Sequence, residues 1–167
     1  MTISMFQASV PAFIRSLNNL AAILEKGAAH AQARKIDEAV LLGSRLFPDM
    51  FPLVRQVQLV SDTAKSGAGR LAGVEYPVYE DKEATFQDLI LRLRNTVSYL
   101  ETLRPAQIDG GEDRTISWQS RSSTKSMQAL PYLMSHVLPN VHFHVTTAYA
   151  ILRHNGVEIG KKDFLGS

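Results

Sequence analysis

Apolar side chains recur at alternating spacings of three and four residues in separate segments of this chain. That spacing places them on one face of an α-helix, and such a face must be buried against other helices. The first stripe consists of Phe6, Val10, Phe13, Leu17, Leu20 and Leu24. Another consists of Phe86, Ile90, Leu93, Val97 and Leu100. The pattern therefore predicts an all-α fold, a four-helix bundle.

The stripes and the residues that flank them predict where the long helices begin and end. Gly27 is expected to end the first helix, because glycine commonly follows the last helical residue. Asp49 is expected to cap the second helix, Thr85 and Asp88 match a capping box for the third, and Pro139 suits the first position of the fourth. The four helices are expected at about 5–26, 49–72, 83–104 and 139–154.

Two parts of the chain leave alternatives open. Because Pro11 is tolerated only in a first turn or at a kink, the first helix either starts at a Ser9 cap or starts near Ser4 and bends. Residues 106–128 break the helical pattern and are expected to form a long crossover outside the helices. Ile116 and Trp118 alternate with polar residues there, which favours a small β-hairpin over an irregular segment.

Composition excludes several functional classes. The 167 residues include no cysteine, which excludes disulfides, thiolate metal ligands and a cysteine nucleophile. The net charge is +2 and the basic residues are scattered, so no nucleic-acid partner is expected. With no long apolar run and no signal-peptide pattern, we expect a cytoplasmic protein that does not enter a membrane. No linker or repeat divides the chain, so residues 1–167 are expected to form one domain.

Four polar residues lie beside apolar helix stripes and are the candidate binding residues: Gln56, Asn140, His144 and Thr147. An inward polar group must find a partner, since leaving it unpaired costs about 1–3 kcal/mol. We therefore expect Gln56, Asn140 and His144 to converge in one pocket between the second and fourth helices. The pocket is either a closed hydrogen-bond cluster or an open site for a small molecule or metal.

Neighbouring polar residues are expected to be less important. Gln58 should be more exposed than Gln56. His136 should precede the last helix, and would join Asn140 and His144 only if that helix began earlier. The glycines at 67, 69 and 73 do not have the spacing of a dinucleotide-binding fingerprint, and no zinc-protease motif occurs.

Two stretches resemble signatures of an uncharacterised bacterial family in the DinB/YfiT-like superfamily of four-helix bundles. They are PNVHFHVTTAYAILRHNGVEIGKKDFLG at the C-terminus and RLFPDMFPLVRQVQLVSDTAK around the second helix. The resemblance covers nearly the whole chain and implies a DinB-like bundle. Many members of that superfamily bind a divalent metal through three histidines, and some are thiol-dependent transferases or isomerases. The resemblance also implies a homodimer, which is the commonest soluble assembly.

This chain departs from the three-histidine pattern. Asn140 stands where the HxxxH pair of the last helix would begin, and Gln56 stands where the second helix would supply a histidine. The implied cofactor is zinc or nickel with His144 as a ligand, but amides are weak partners for these ions. Two functions stay open: a small-molecule binder with a degenerate metal site, or a metal- or thiol-dependent transferase or hydrolase-like enzyme with His144 as the catalytic candidate.

Overall fold

Four long helices form the body of the protein. The computed structural model describes residues 3–120 and 123–166. In chain order the elements are α1 (Met5–Arg34), α2 (Glu38–Leu42), α3 (Leu53–Ala72), α4 (Phe86–Leu100), α5 (Pro105–Ile108), β1 (Thr115–Ser120), β2 (Ser123–Gln128), α6 (Ala129–Tyr132), a π-helical turn (Leu133–Val137), α7 (Leu138–His154) and α8 (Lys161–Leu165). None of the helices in the described ranges is long and apolar enough to cross a lipid bilayer.

The long helices pack as a four-helix bundle around one core. α1 packs mainly on α4, and α3 packs mainly on α7, while α3 also contacts α4 and α1 also contacts α7. From the two apolar stripes named above, Phe13, Leu17 and Leu93 are buried in this core, whereas Val97 is only partly buried at its edge. α3 and α7 contribute Val57, Ala148 and Leu152 to the same core.

The first helix is longer than predicted. Its N-cap is Ser4, whose hydroxyl accepts from the backbone N–H of Gln7, so Pro11 lies inside the helix. Ser9 donates to the carbonyl of Met5 instead of capping. The prediction that Gly27 ends the helix is wrong. A Cβ atom there would lie 3.0 Å from Cε1 of Phe86, so the glycine permits a close contact between helices.

The second and third long helices differ from their predicted bounds at their ends. α3 begins at Leu53 with Pro52 as its N-cap, so the prediction of an Asp49 cap is wrong. The residue before a proline is disfavoured in helical geometry, which keeps Phe51 and the residues before it outside α3. The capping box of α4 at Thr85 is confirmed. The chain leaves α4 after Leu100.

The crossover contains both predicted and unpredicted elements. The hairpin is confirmed: β1 and β2 pair antiparallel, with Ile116 opposite Met127 and Trp118 opposite Lys125. Ile116 and Trp118 are buried against the bundle. The prediction that 106–128 lies wholly outside helices is wrong at α5, because Pro105 occupies its first turn and begins a new helix.

The predicted fourth helix is confirmed as α7 (Leu138–His154), with Pro139 in its first turn. It follows α6 and the π-helical turn without a break, so the last helical segment (129–154) begins ten residues before Pro139. Proline lacks the N–H that an α-helix needs at this position. The π-helical turn accommodates this by a wider hydrogen bond, in which the N–H of Leu138 donates to the carbonyl of Leu133. The segment therefore continues through the proline and brings His136 into the helix.

The α3–α4 connection (73–85) is held on the bundle by the buried Arg92. Its guanidinium donates to Glu83 Oε1 at 2.8 Å, to Asp62 Oδ1 at 2.8 Å and to the carbonyl of Glu80 at 3.2 Å. Asp62 also pairs with the buried Lys65. These partners offset the free-energy cost of burying the Arg92 charge. Removing one partner of a buried ion pair usually costs about 3–5 kcal/mol.

Gly67 lies where α3 crosses the π-helical turn, and its lack of a side chain is expected to be required for that crossing. A Cβ atom there would lie 2.5 Å from Cγ1 of Val137. Gly67→Ala should therefore lower the free energy of unfolding by about 1–3 kcal/mol in urea denaturation. Without this contact, replacing glycine by alanine within a helix would raise the free energy of unfolding by about 1 kcal/mol, so a loss would come from the contact with Val137.

Two control variants isolate the contact. In a Val137→Ala background, Gly67→Ala should be neutral or stabilising, because the overlapping methyl groups are gone. Gly160→Ala should change stability little, because a Cβ atom there meets nothing within 4 Å. An equal loss at position 67 in both backgrounds would contradict this account of the crossing.

Candidate functional site

A polar cavity of about 200 Å³ lies between α3 and the last helical segment. We call it the α3–α7 cavity. One wall comes from α3 and consists of Leu59, Asp62, Thr63, Ser66 and Arg70. The other wall is a row at a constant spacing of four residues: Tyr132, His136, Asn140 and His144. The row continues through the π-helical turn, a feature that is frequent at functional sites.

His144 is oriented by Gln56. The Nδ1 atom of His144 lies 2.7 Å from Oε1 of Gln56. The amide nitrogen of Gln56 donates to the carbonyl of Phe51 at 3.0 Å, which fixes the orientation of the amide within this hydrogen-bond network. Oε1 must then accept, so the network assigns the proton of His144 to Nδ1 and leaves a lone pair on Nε2.

The second ring nitrogen of His144 is not fully buried. It makes no hydrogen bond within the described residues. In that part of the chain, the fully buried side-chain nitrogen and oxygen atoms all have a hydrogen-bond partner except Nε of Arg92. Because Nε2 of His144 has no partner and is not among the fully buried atoms, it retains some accessible surface. Burial of the ring, and the charge of Arg55, lower the pKa of His144. A neutral imidazole with an accessible Nε2 can accept a hydrogen bond, take up a proton or bind a metal.

The other two predicted binding residues have different partners. The amide nitrogen of Asn140 donates to the carbonyl of His136 at 2.6 Å and lies 3.5 Å from its Nδ1. Asn140 thus shares the cavity with His144 without joining the bond to Gln56. Thr147 donates to the carbonyl of Phe143 at 2.8 Å and is not in the cavity wall.

Gln58, predicted to be more exposed than Gln56, is buried almost as completely, at 5% against 1% exposed. It donates to Glu83 Oε2 at 2.8 Å, because the α3–α4 connection covers this side of α3.

An aromatic cluster of Trp118, Tyr132 and His136, of which the last two line the cavity, was missed by the sequence analysis. The rings of Trp118 and His136 are 4.9 Å apart between centroids, as are those of Trp118 and Tyr132. Burial lowers the pKa of His136, and Lys125 and Arg70 lower it further. The four-residue spacing from Tyr132 to His144 is the signal that could have identified this row.

Arg70 was also missed, and it is the cation of the cavity wall. It donates to the hydroxyl of Tyr132 at 3.0 Å and to the hydroxyl of Tyr76 at 2.9 Å. Its position eight residues after Asp62 on α3, with Ser66 between them, places all three on one side of the helix. That spacing was visible in the sequence, although its two tyrosine partners were not.

The residues present do not fit the three-histidine metal centre that the resemblance implies. Within residues 3–120 and 123–166, no three His, Cys, Asp or Glu side chains come together closely enough to hold a metal ion. Gln56 is hydrogen-bonded to the ring of His144, and the amide of Asn140 is bonded to a backbone carbonyl. Of the three expected ligand positions, only His144 supplies a nitrogen that zinc or nickel binds well.

Comparisons with known proteins agree with the fold. The family model described as "Domain of unknown function (DUF1993)" matches residues 5–165. The chain is also similar to the crystal structure of a DinB family member protein from Shewanella denitrificans. The two are 43% identical with a TM-score of 0.89, and the match covers 98% of this chain and 92% of the other. No curated protein matches the chain.

Stability should fall as the pH is lowered below about 6.5, the ordinary pKa of histidine. The folded pKa of His144 lies below that value, so the unfolded chain takes up the proton more readily than the folded one. This contribution to stability is present above pH 6.5 and is lost as the pH falls towards the folded pKa. His144→Gln should therefore reduce the decline in the free energy of unfolding between pH 7 and pH 5.

The decline should be reduced and not abolished, because the pKa of His136 is lowered in the folded protein as well. His142→Gln, an exposed position on the same helix, should leave the decline as it is in the wild type. Urea denaturation at pH 7, 6 and 5 measures the free energy of unfolding of all three proteins. Identical declines in the wild type and His144→Gln would rule out a neutral, buried His144 as the cause.

Proposed function

The chain belongs to the DUF1993 family, a domain of unknown function with a DinB-like helical bundle, and we propose that it binds a small molecule in the α3–α7 cavity without a resident metal ion. The observation that carries the proposal is the state of His144. Its Nδ1 is held by Gln56 while its Nε2 remains free and accessible beside a polar cavity. Ligand sites typically combine a preformed cavity with a few convergent polar groups.

The size and lining of the cavity indicate what kind of molecule it can take. A volume of about 200 Å³ corresponds to roughly six or seven water molecules at ~30 Å³ each. The wall supplies donors from Arg70 and hydroxyl groups from Thr63 and Ser66, and an acceptor from His144. A compact molecule with several polar groups suits this lining.

An enzyme that uses His144 as a base is the second candidate function. A neutral imidazole that is held at Nδ1 and free at Nε2 has the geometry of a general base. The partner at Nδ1 is the neutral amide of Gln56, whereas a carboxylate would stabilise the imidazolium that forms when the base takes a proton. Burial of the ring disfavours the imidazolium further. These two features favour ligand binding over proton transfer.

Thermal unfolding in the presence of small polar compounds tests the binding proposal. The probes are four classes at the same concentration: monocarboxylates, amines, amides and diols. At least one class should raise the Tm of the wild type, by about 3–6 °C at ten times its Kd. The rise should be lost in His144→Ala and kept in His142→Ala. A wild type that responds to no class, or a rise that persists in His144→Ala, would overturn the proposal.

Zinc chloride separates the two candidate functions. The Tm should be the same with zinc as with EDTA, because the incomplete donor set gives the folded state no preference for the ion. A rise with zinc that disappears in His144→Ala would favour the metal-dependent alternative instead.

A further inference from the structure

We propose that the ligand of the α3–α7 cavity is an extended monocarboxylate whose carboxylate binds Arg70 and whose other end donates a hydrogen bond to His144. This inference rests on the proposed function, since it names the ligand class for the same cavity. It is carried by the different chemistry at the two ends of that cavity.

The Arg70 end carries a positive charge with no carboxylate partner. Within the described residues no Asp or Glu oxygen lies within 4.0 Å of this guanidinium, whereas Arg92 and Lys65 both pair with Asp62. Arg70 uses two N–H groups on the hydroxyls of Tyr76 and Tyr132, which leaves three of its five donors. The C-terminal end of α3 offsets only part of the charge.

A half-buried guanidinium with spare donors is suited to a carboxylate, because its fork of N–H groups matches the two oxygens. Asp62, the other charged residue of the wall, already pairs with Lys65 and Arg92. Arg70 therefore remains to balance a ligand, and one guanidinium balances one negative charge, which favours a singly charged carboxylate over a dianion such as phosphate.

The His144 end has the opposite requirement. Nε2 carries a lone pair, so it needs a donor such as a hydroxyl group. Tyr132 and His144, at the two ends of the row, lie roughly 18 Å apart along the helix axis at about 1.5 Å per residue. Because its wall includes both Tyr132 and His144, the cavity extends along the whole row. Its ligand is therefore extended, with the carboxylate at one end and the donor at the other.

Calorimetric titration with matched compounds tests both ends. The probes are ω-hydroxyalkanoates of four to eight carbons, the alkanoates of the same lengths and the corresponding α,ω-diols. At least one hydroxyalkanoate should bind, and the diol of its length should bind roughly 10- to 100-fold more weakly, because the charge-assisted bond is lost. The alkanoate, which lacks the hydroxyl group, should bind roughly fivefold more weakly.

Variants assign the carboxylate to Arg70. Arg70→Gln should weaken the hydroxyalkanoate roughly 10- to 100-fold and leave the diol unchanged, whereas Arg70→Lys should recover part of the loss. Arg153→Gln, at an exposed position on α7, should change neither. Circular dichroism and the unchanged diol affinity show whether Arg70→Gln is folded. Where Arg70→Gln unfolds, Arg70→Lys carries the same test, with a smaller loss expected for the hydroxyalkanoate alone.

The outcomes separate this inference from the proposed function. Equal affinity for diol and hydroxyalkanoate, or no effect of Arg70→Gln on the hydroxyalkanoate, overturns the carboxylate assignment. Where amines, amides or diols bind in a His144-dependent way and no carboxylate does, the inference fails and the binding function stands. Where no compound of any class binds, both fail.

Discussion

The backbone of α3 lies directly against the π-helical turn, because position 67 has no side chain to hold them apart. This contact with Val137 sets the distance between the two walls of the cavity. The wider turn at the same place also keeps the row from Tyr132 to His144 together. In a regular α-helix each step of four residues overshoots a full turn by about 40°, so three steps would carry the last residue to another face. The close approach at Gly67 therefore sets the width of the cavity, and the π-helical turn beside it sets which side chains line the cavity.

The electrostatics of the cavity follow from what stands next to each imidazole. Gln56 fixes the tautomer of His144 but carries no charge, so it orients the ring without the stabilisation that a carboxylate would give to the imidazolium. His136 is buried among aromatic rings and faces cations, which favours its neutral form as well. The wall of the cavity therefore carries a positive charge at Arg70, a carboxylate at Asp62 that is paired with Lys65 and Arg92, and two neutral imidazole rings. Such a lining suits selective hydrogen bonding better than proton transfer.

The elements that the sequence predicted correctly are those specified by local patterns. The apolar stripes specify four helices, and the pairing of Gln56 with His144 follows from two polar residues beside facing stripes. Gly27 misled the prediction because a glycine usually follows the last residue of a helix, and Pro139 indicated the start of α7 but not the helical residues before it. At Gly27 the side chain of Phe86 from α4 occupies the space beside the glycine. Before Pro139 a π-helical turn, in which the N–H of Leu138 donates to the carbonyl of Leu133, allows the helix to continue although proline has no N–H. Gln58 could not be placed, because the connection that buries it is irregular and leaves no periodic signal.

Asp62 has two roles in this fold. It forms part of the cavity wall, and it is also the counterion of the buried Arg92 and Lys65, which hold the α3–α4 connection in place. A substitution that removed its charge would leave two buried cations short of a partner and would be selected against for reasons unrelated to any ligand. Within the described residues, neither Arg70 nor the row on the opposite wall forms an ion pair with a buried charge. On the proposed function, evolutionary change in the ligand should therefore accumulate at Arg70 and along the row on the last helical segment, while the acidic position stays fixed.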